Sequence, residues 1–271
     1  MRQTPNETMP RFAANLNFLF TEVPFLQRFE RAAKAGFTAV ELFLPYAWPI
    51  ETIRAQLDTW HLTAVLQNLP AGDWDAGDRG LACLPGRVDE FQASVRLGIA
   101  YATALGVGRI NCLAGIAPAA SPDALVRKTL VRNLQFAAAA FKQAGLQLML
   151  EPINRFDMPG YCINHSAYAL DVLDEVGADN AFLQYDIYHA QRMEGELAAT
   201  LQRHLARIGH IQLADNPGRH EPGTGEINFT FLLQHLDRLG YPGWIGCEYR
   251  PSGQTEAGLG WMQSLPTPAK S

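Results

Sequence analysis

Cysteine is scarce in this sequence and never occurs in closely spaced pairs. The 271 residues include only Cys83, Cys112, Cys162 and Cys247, and no two of them form a CxxC pair. A disulfide framework or a structural zinc site usually shows such spacing. The sequence therefore argues against both, and the fold must depend on a hydrophobic core.

Long apolar runs are also missing. No segment approaches the roughly 18 uninterrupted apolar residues expected of a membrane-spanning helix. The apolar stretch at 12–20 is interrupted by Asn15 and Asn17, and it has neither the charged start nor the cleavage site of a signal peptide. We therefore expect a cytoplasmic protein with no membrane partner. Residues 1–9 are polar and patternless, so we expect a mobile leader there, followed by one domain at 10–271.

Basic residues are fewer than acidic residues in this sequence. Lys and Arg total 22 against 27 Asp and Glu, which gives a net charge of -5, and the basic residues do not cluster. Proteins that grip a phosphate backbone generally need a basic patch. We therefore expect no nucleic-acid partner. With 48% hydrophobic and 18% charged residues, the chain has enough apolar surface for a packed core.

Short apolar runs alternate with longer helical patterns along the whole chain, as in repeated βαβ units. Eight runs are predicted as strands: Phe12–Asn17, Ala39–Phe43, Thr63–Gln67, Arg109–Leu113, Gln147–Glu151, Phe182–Asp186, His210–Leu213 and Trp244–Glu248. Helical patterns between them include Pro24–Ala35, Arg87–Leu105, Asp123–Gln143, Ser166–Val176 and Phe229–Leu239. A βα period of roughly 30 residues repeated eight times, without a glycine-rich phosphate loop, predicts an α/β protein with a single (β/α)8 TIM barrel. The loops at 68–86 and 214–228 are long enough to be functional lids.

Acidic residues end three of the predicted strands. In a βα barrel the active site lies at the carboxyl ends of the strands, where Glu151, Asp186 and Glu248 would meet. A single acid in such a position is more often a helix cap or a surface ion pair, but three at one mouth favour a functional site. Carboxylates that converge repel one another, and a divalent cation is the usual remedy. Oxygen ligands favour Mg2+ or Mn2+.

The seventh strand leaves a choice of polar group. Strand alternation places His210 and Gln212 on one face, and Asp215 follows the strand. Periodicity does not select which of the three would join the acids. A buried histidine with a structural hydrogen bond is the simpler interpretation of His210.

Several motifs together resemble the hydroxypyruvate isomerase family of the xylose-isomerase-like barrels. They are Asn68-Leu-Pro-Ala-Gly-Asp-Trp74, Glu151-Pro-Ile-Asn154, Gln184-Tyr-Asp-Ile-Tyr-His189, Met193-Glu-Gly-Glu196, the segment 215–228 and Gly246-Cys-Glu-Tyr249, and the resemblance runs from about Met9 to Leu265. It implies that Glu151, Asp186, Gln212 and Glu248 bind a divalent metal ion, Mg2+ or Mn2+. It also implies that Glu151 and Glu248 are the paired acid and base, and that the chain forms a homo-oligomer.

The reaction that the resemblance implies interconverts hydroxypyruvate and 2-hydroxy-3-oxopropanoate (tartronate semialdehyde) through an enediolate, so the partner is a small hydroxy-oxo acid. The alternative is a 2-oxo-tetronate isomerase, or another small sugar-acid isomerase or epimerase. The motifs at Asn68 and Glu151 favour hydroxypyruvate. A DNA-repair endonuclease on a related barrel would need several histidine ligands and a basic groove, which this chain lacks. A catalytically inactive binding protein would not need four competent ligands.

Three further residues are expected to bind substrate. His189 follows Asp186 at the opening of a helix, Arg219 lies in the long loop after the seventh strand, and Asn68 follows the third strand. A guanidinium matches a carboxylate bidentately, so Arg219 suits the acid end of the substrate. The simpler interpretations are a helix-start histidine and a solvated arginine. We also expect Asn154 and Asp157 to orient Glu151.

Overall fold

Eight short parallel strands form the centre of the protein, in a computed structural model that describes residues 10–263. They are β1 (Arg11–Asn15), β2 (Ala39–Leu42), β3 (Thr63–Asn68), β4 (Arg109–Asn111), β5 (Gln147–Leu150), β6 (Ala181–Asp186), β7 (Ile208–Leu213) and β8 (Trp244–Cys247). Each strand pairs with the next, and β8 pairs with β1, so the sheet closes into a barrel. The predicted (β/α)8 TIM barrel is confirmed.

Helices follow the strands along the chain. They are α1 (Phe25–Lys34), α2 (Ile50–Trp60), α3 (Val88–Leu105), α4 (Asp123–Gln143), α5 (Ser166–Val176), α6 (Ile187–Met193), α7 (Leu197–His204) and α8 (Phe229–Arg238). Short 3-10 segments occupy Pro45–Ala47, Pro85–Arg87, Leu205–Arg207 and Glu256–Met262. Helix α3 ends at Gly106, whose φ of 74° is in the left-handed region that glycine adopts without strain. None of the helices within 10–263 is long and apolar enough to cross a membrane.

The hydrophobic core lies between the strands and the helices that cover them. Phe29, Ile53, Phe91, Leu130 and Phe141 are helical side chains with their surface almost completely buried. Burial of such side chains is the main favourable contribution to folding. The strands are thereby held in a fixed register, which sets the positions of the polar residues inside the barrel.

Strand register brings distant polar residues to one level of the barrel. Asn15 pairs with Glu41, Asp186 pairs with Gln212, and Gln212 pairs with Gly246. These residues come from β1, β2, β6, β7 and β8, at or near the carboxyl ends of the strands. The expected leader at 1–9 and the last residues of the expected domain, 264–271, lie outside the described residues.

Candidate active site

Three buried carboxylates meet at the carboxyl-terminal mouth of the barrel. Glu151 follows β5, Asp186 ends β6 and Glu248 follows β8, with exposed fractions of 4%, 2% and 6%. Asp186 also caps α6, since its Oδ1 accepts from the backbone nitrogens of Tyr188 (2.8 Å) and His189 (3.4 Å). Its other oxygen, Oδ2, is buried and has no hydrogen-bond partner within the described chain. This oxygen of Asp186 can therefore accept a hydrogen bond or bind a cation.

The electrostatics of the cluster oppose ionisation. Burial raises the pKa of Glu151 well above its ordinary value, and the charges of Glu248 and Asp186 raise it further. Burial likewise raises the pKa of Asp186 and takes that of Glu248 to about 8, while the charge of Arg219 opposes both shifts. A positive charge placed among these three buried carboxylates would stabilise their ionised forms.

Arg219 lies directly against the cluster. Its Nη2 donates to Glu248 Oε1 at 2.5 Å and lies 3.6 Å from Asp186 Oδ2, and its guanidinium packs over the rings of Phe18 and Tyr188. The Nε atom is buried without a hydrogen-bond partner among residues 10–263. The side chain is therefore not a solvated loop arginine, and it keeps a donor for a further acceptor.

His189 faces the same carboxylates from the first turn of α6. Its Nε2 lies 3.6 Å from Asp186 Oδ2 and 3.9 Å from Glu151 Oε1. Burial and the positive charges of Arg219 and Arg192 lower the pKa of His189 well below its usual range, so the ring is neutral. Asn154 Nδ2 lies 2.7 Å from Nδ1. If Nδ1 accepts this bond, the single ring proton is on Nε2 and points at the cluster.

Among the described residues, the hydrogen bonds of Asn154 and Asp157 go to partners other than Glu151, so their expected role in orienting Glu151 stays a prediction. The Asn154 carbonyl oxygen instead accepts from the backbone nitrogens of Phe156 and Asp157, at 3.0 and 2.9 Å. This local turn leaves the Asn154 amide nitrogen directed at His189 and Asp157. Both residues therefore orient α6 and its histidine.

Gln212 is the residue of β7 that touches an acid of the cluster. Its Nε2 donates to Glu248 Oε2 at 2.5 Å and to Glu41 Oε2 at 2.8 Å, while its Oε1 accepts from Gln184 Nε2 at 2.6 Å. The amide oxygen therefore lies on the β6 side. An amide oxygen has two lone pairs, so this bond leaves one for a cation.

The other two candidates on β7 have structural partners. His210 is buried against Glu41, to which its Nε2 is hydrogen bonded. Asp215 accepts hydrogen bonds from four backbone nitrogens of its own loop, those of Asn216, Gly223, Gly225 and Ile227. The interpretation of His210 as a structural histidine is confirmed, and Asp215 organises the loop that carries Arg219.

Sequence reasoning missed the amides of β1 and β4. Asn111 Nδ2 donates to Glu151 Oε2 at 2.8 Å, and Asn15 Nδ2 donates to Glu248 Oε2 at 3.0 Å. Polar residues inside otherwise apolar strand runs were the available signal. Asn68, predicted to bind substrate, is buried at the end of β3. Its backbone oxygen accepts from Tyr46, and in the described chain its side chain makes no hydrogen bond to the cluster.

The donor set suits a hard divalent cation. Glu151 and Asp186 each offer a carboxylate oxygen, and these oxygens lie within 4.8 Å of each other and of a ring nitrogen of His189. The raised carboxyl pKa values and the unpartnered Asp186 Oδ2 are the features expected of residues that share a cation. The residues present therefore fit a bound metal ion.

Comparison with known proteins places this chain in a family. Residues 29–265 match the family model described as the xylose isomerase-like TIM barrel. The hydroxypyruvate isomerase of Escherichia coli is 50% identical over 94% of this chain and 98% of its own length. The 2-oxo-tetronate isomerase of Cupriavidus necator is 48% identical with the same coverage, 94% and 98%. Both relatives span nearly the whole chain.

Solved structures show the same architecture. The crystal structure named AP endonuclease, family 2, from Brucella melitensis superposes with a TM-score of 0.92 at 42% identity, over 94% of this chain and 98% of that one. A D-allulose 3-epimerase from Methylomonas sp. superposes with a TM-score of 0.73 at 24% identity, covering 95% and 91%. The second likeness shows the fold alone.

Proposed function

The chain belongs to the hydroxypyruvate isomerase family of xylose isomerase-like TIM barrels, and we propose that it interconverts hydroxypyruvate and 2-hydroxy-3-oxopropanoate with a divalent metal ion. The observation that carries this proposal is the pair of buried glutamates, Glu151 and Glu248, beside an arginine at one barrel mouth. Raised carboxyl pKa values suit groups that take up and release protons near neutral pH.

The reaction moves one carbon-bound proton and one hydroxyl proton. A glutamate removes a proton from C3, the CH2OH carbon of hydroxypyruvate, and the electron pair forms the C2–C3 double bond of an enediolate. The same or the facing glutamate delivers a proton to C2, while the proton of the C3 hydroxyl passes to the oxygen on C2. C3 then bears the aldehyde. We assign these transfers to Glu151 and Glu248, which lie on β5 and β8.

The ion would be held by Glu151, Asp186 and Glu248, with the amide oxygen of Gln212 as the fourth ligand. We propose Mg2+, with Mn2+ as the alternative, because all four donors are oxygens. When bound, it would supply a Lewis acid that stabilises the negative charge of the enediolate. Its charge would also favour the ionised carboxylates, whose burial is otherwise unfavourable.

Two residues would hold the substrate. The buried Arg219 would bind the substrate carboxylate through its guanidinium, which has an unpartnered Nε–H within the described residues. His189, neutral at physiological pH, would donate from Nε2 to a substrate oxygen next to Asp186. We retain Asn68 as a third binding residue from the sequence motif. We also retain the proposal of a cytoplasmic homo-oligomer, which rests on sequence alone.

A direct assay tests the substrate. With Mg2+ present, we expect the purified enzyme to turn over hydroxypyruvate with at least about tenfold higher kcat/KM than 2-oxo-tetronate, a preference of roughly 1.4 kcal/mol. Overall identity does not decide between them, because the relatives with the two names are 50% and 48% identical to this chain. Removal of the ion with a chelator should abolish turnover, and Mg2+ should restore it. A faster reaction of 2-oxo-tetronate would replace the proposed substrate.

An endonuclease activity, suggested by the name of the Brucella melitensis structure, has little support in the site. Within the described residues, one histidine, His189, lies beside Glu151 and Asp186, whereas a cluster of several zinc ions would need more nitrogen ligands. The net charge of -5 also disfavours a DNA surface. Cleavage of abasic DNA at moderate salt would revive this alternative.

A further inference from the structure

Glu41 is a buried acid inside the barrel that the proposed reaction does not use. It lies on β2 with 1% of its surface exposed. Three nitrogen atoms surround its carboxylate: His210 Nε2 at Oε1, and at Oε2 both Asn15 Nδ2 (3.1 Å) and Gln212 Nε2 (2.8 Å). An acid this deeply buried is retained only where its hydrogen bonds are satisfied, and here two of its partners contact Glu248.

Space for this carboxylate depends on a glycine of β8. A Cβ atom added at Gly246 would collide with the side-chain oxygens of Glu41. Gly246 pairs in register with Gln212, so Glu41 occupies the position that a side chain of β8 would otherwise fill. The absence of a side chain at Gly246 therefore leaves the space that Glu41 occupies inside the barrel.

Glu41 Oε2 accepts from the amide nitrogens of both Asn15 and Gln212, and these two hydrogen bonds fix the orientation of the amides that face it. The Gln212 amide must present its nitrogen to Glu41 and its oxygen to the other side. That oxygen lies on the β6 side, where it accepts from Gln184. The Asn15 amide also turns its nitrogen to Glu41, and the same nitrogen donates to Glu248.

Two amide groups thus bridge Glu41 and Glu248. Asn15 Nδ2 and Gln212 Nε2 each donate to Oε2 of both acids. We propose that Glu41 is a positioning residue that holds the Gln212 oxygen toward β6, where Gln184 lies, and holds Glu248 in place through these two amides. The inference rests on the proposed function, in which Gln212 and Glu248 bind the ion. Residues that orient metal ligands commonly affect affinity or activity about 10–100-fold when changed.

Glu41→Gln is the sharpest test because it preserves the shape of the side chain. A glutamine at this position offers both a donor and an acceptor, so the Gln212 amide loses its fixed orientation. We expect Mn2+, measured by its electron paramagnetic resonance signal, to bind about 10–100-fold more weakly. In the metal-free protein, the side-chain amide resonances of Gln212, assigned with 15N labelling, should shift or broaden.

Glu221→Gln is the matched control. Glu221 is also a buried acid, but it accepts from the backbone nitrogen and hydroxyl of Ser252, away from the cluster. Its variant should keep the Mn2+ affinity and the Gln212 resonances of the wild type. If Glu41→Gln does not fold, His210→Gln replaces it. That change removes the imidazole at Oε1 and should produce a smaller shift of the same resonances.

The positioning role would be overturned if Glu41→Gln kept the wild-type Mn2+ affinity and unshifted Gln212 resonances. If His210→Gln has to replace it, unshifted Gln212 resonances in that variant would overturn the role. Failure of the proposed function gives a different pattern, in which the wild type itself neither binds Mn2+ nor isomerises hydroxypyruvate. In that case the resonances of the metal-free protein still decide whether Glu41 orients Gln212.

Discussion

The first four strands and the last four bring different chemistry to the mouth of the barrel. Glu151, Asp186 and Glu248 follow or end strands β5, β6 and β8, whereas Asn15 and Asn111 end β1 and β4. All five side chains are buried. Each asparagine donates to one of the glutamates, Asn111 to Glu151 and Asn15 to Glu248. The second half of the barrel thus supplies the three acids of the cluster, and the first half supplies the asparagines that donate to two of them.

Two buried acids, Glu41 in the first half and Asp186 in the second, also differ in how well their oxygens are hydrogen bonded. In the first half, the buried Glu41 has three nitrogen partners. In the second half, Asp186 Oδ2 lacks a hydrogen-bond partner within the described residues, and burial raises the pKa of all three acids. Unsatisfied groups of this kind are typical of functional sites. We therefore expect changes in the second half to affect catalysis most.

The largest expected effect follows substitution of the second-half glutamates. Glu151→Gln and Glu248→Gln keep the side-chain shape but cannot exchange a proton, so kcat should fall about 10²–10⁴-fold in each. Steady-state assays with saturating Mg2+ measure this loss. Glu221→Gln, the buried acid that contacts Ser252, should keep kcat within about twofold of wild type, which corresponds to roughly 0.4 kcal/mol. A glutamate variant with near-normal kcat would remove the distinction between the halves.

First-half asparagines should have an intermediate effect. Asn111→Ala and Asn15→Ala remove one donor from Glu151 and Glu248, so kcat should fall roughly 10-fold with little change in KM. The matched control is Asn180→Ala. Its amide donates to the backbone oxygens of Ala138 and Leu146, and it should lower thermal stability while keeping kcat. A loss in Asn111→Ala as large as in Glu151→Gln would contradict the division of roles.

The smallest effect concerns stability against pH. Burial raises the pKa of Glu248 from an ordinary 4.5 to about 8 in the folded protein, so its contribution to stability is complete below 4.5 and is lost as pH rises through about 8. Glu151 and Asp186 act in the same direction. The Tm of the metal-free protein, measured by calorimetry, should therefore fall between about pH 6 and pH 8.

Two controls accompany the pH series. Mg2+ should raise Tm more at pH 9 than at pH 7, because it competes with protons for the carboxylates. Glu248→Gln should flatten part of the slope, because it removes one of the titrating groups. If the Tm of the metal-free protein rises over this range, the pKa values of these carboxyl groups are not raised in the folded protein.

Much of this arrangement is readable from sequence because it depends on local patterns. Strands β5 and β8 begin at the predicted residues, Gln147 and Trp244, and the acids that follow them do converge. The roles of Glu41 and Asn15 could not be predicted from the sequence, because they depend on partners that are distant along the chain. Glu41 and His210 are separated by 169 positions, and Asn15 and Glu248 by 233. Asn154 shows the same limit, because only the folded loop reveals that its amide faces His189. Closure of the barrel creates these contacts.

The most direct measurement follows hydroxypyruvate by proton NMR in D2O with the wild type, Glu151→Gln and Glu248→Gln. Proton transfer by these two glutamates predicts that the wild type forms 2-hydroxy-3-oxopropanoate and exchanges carbon-bound protons for deuterium. Both variants should fold and yet lose interconversion. Full interconversion in both variants would contradict the account.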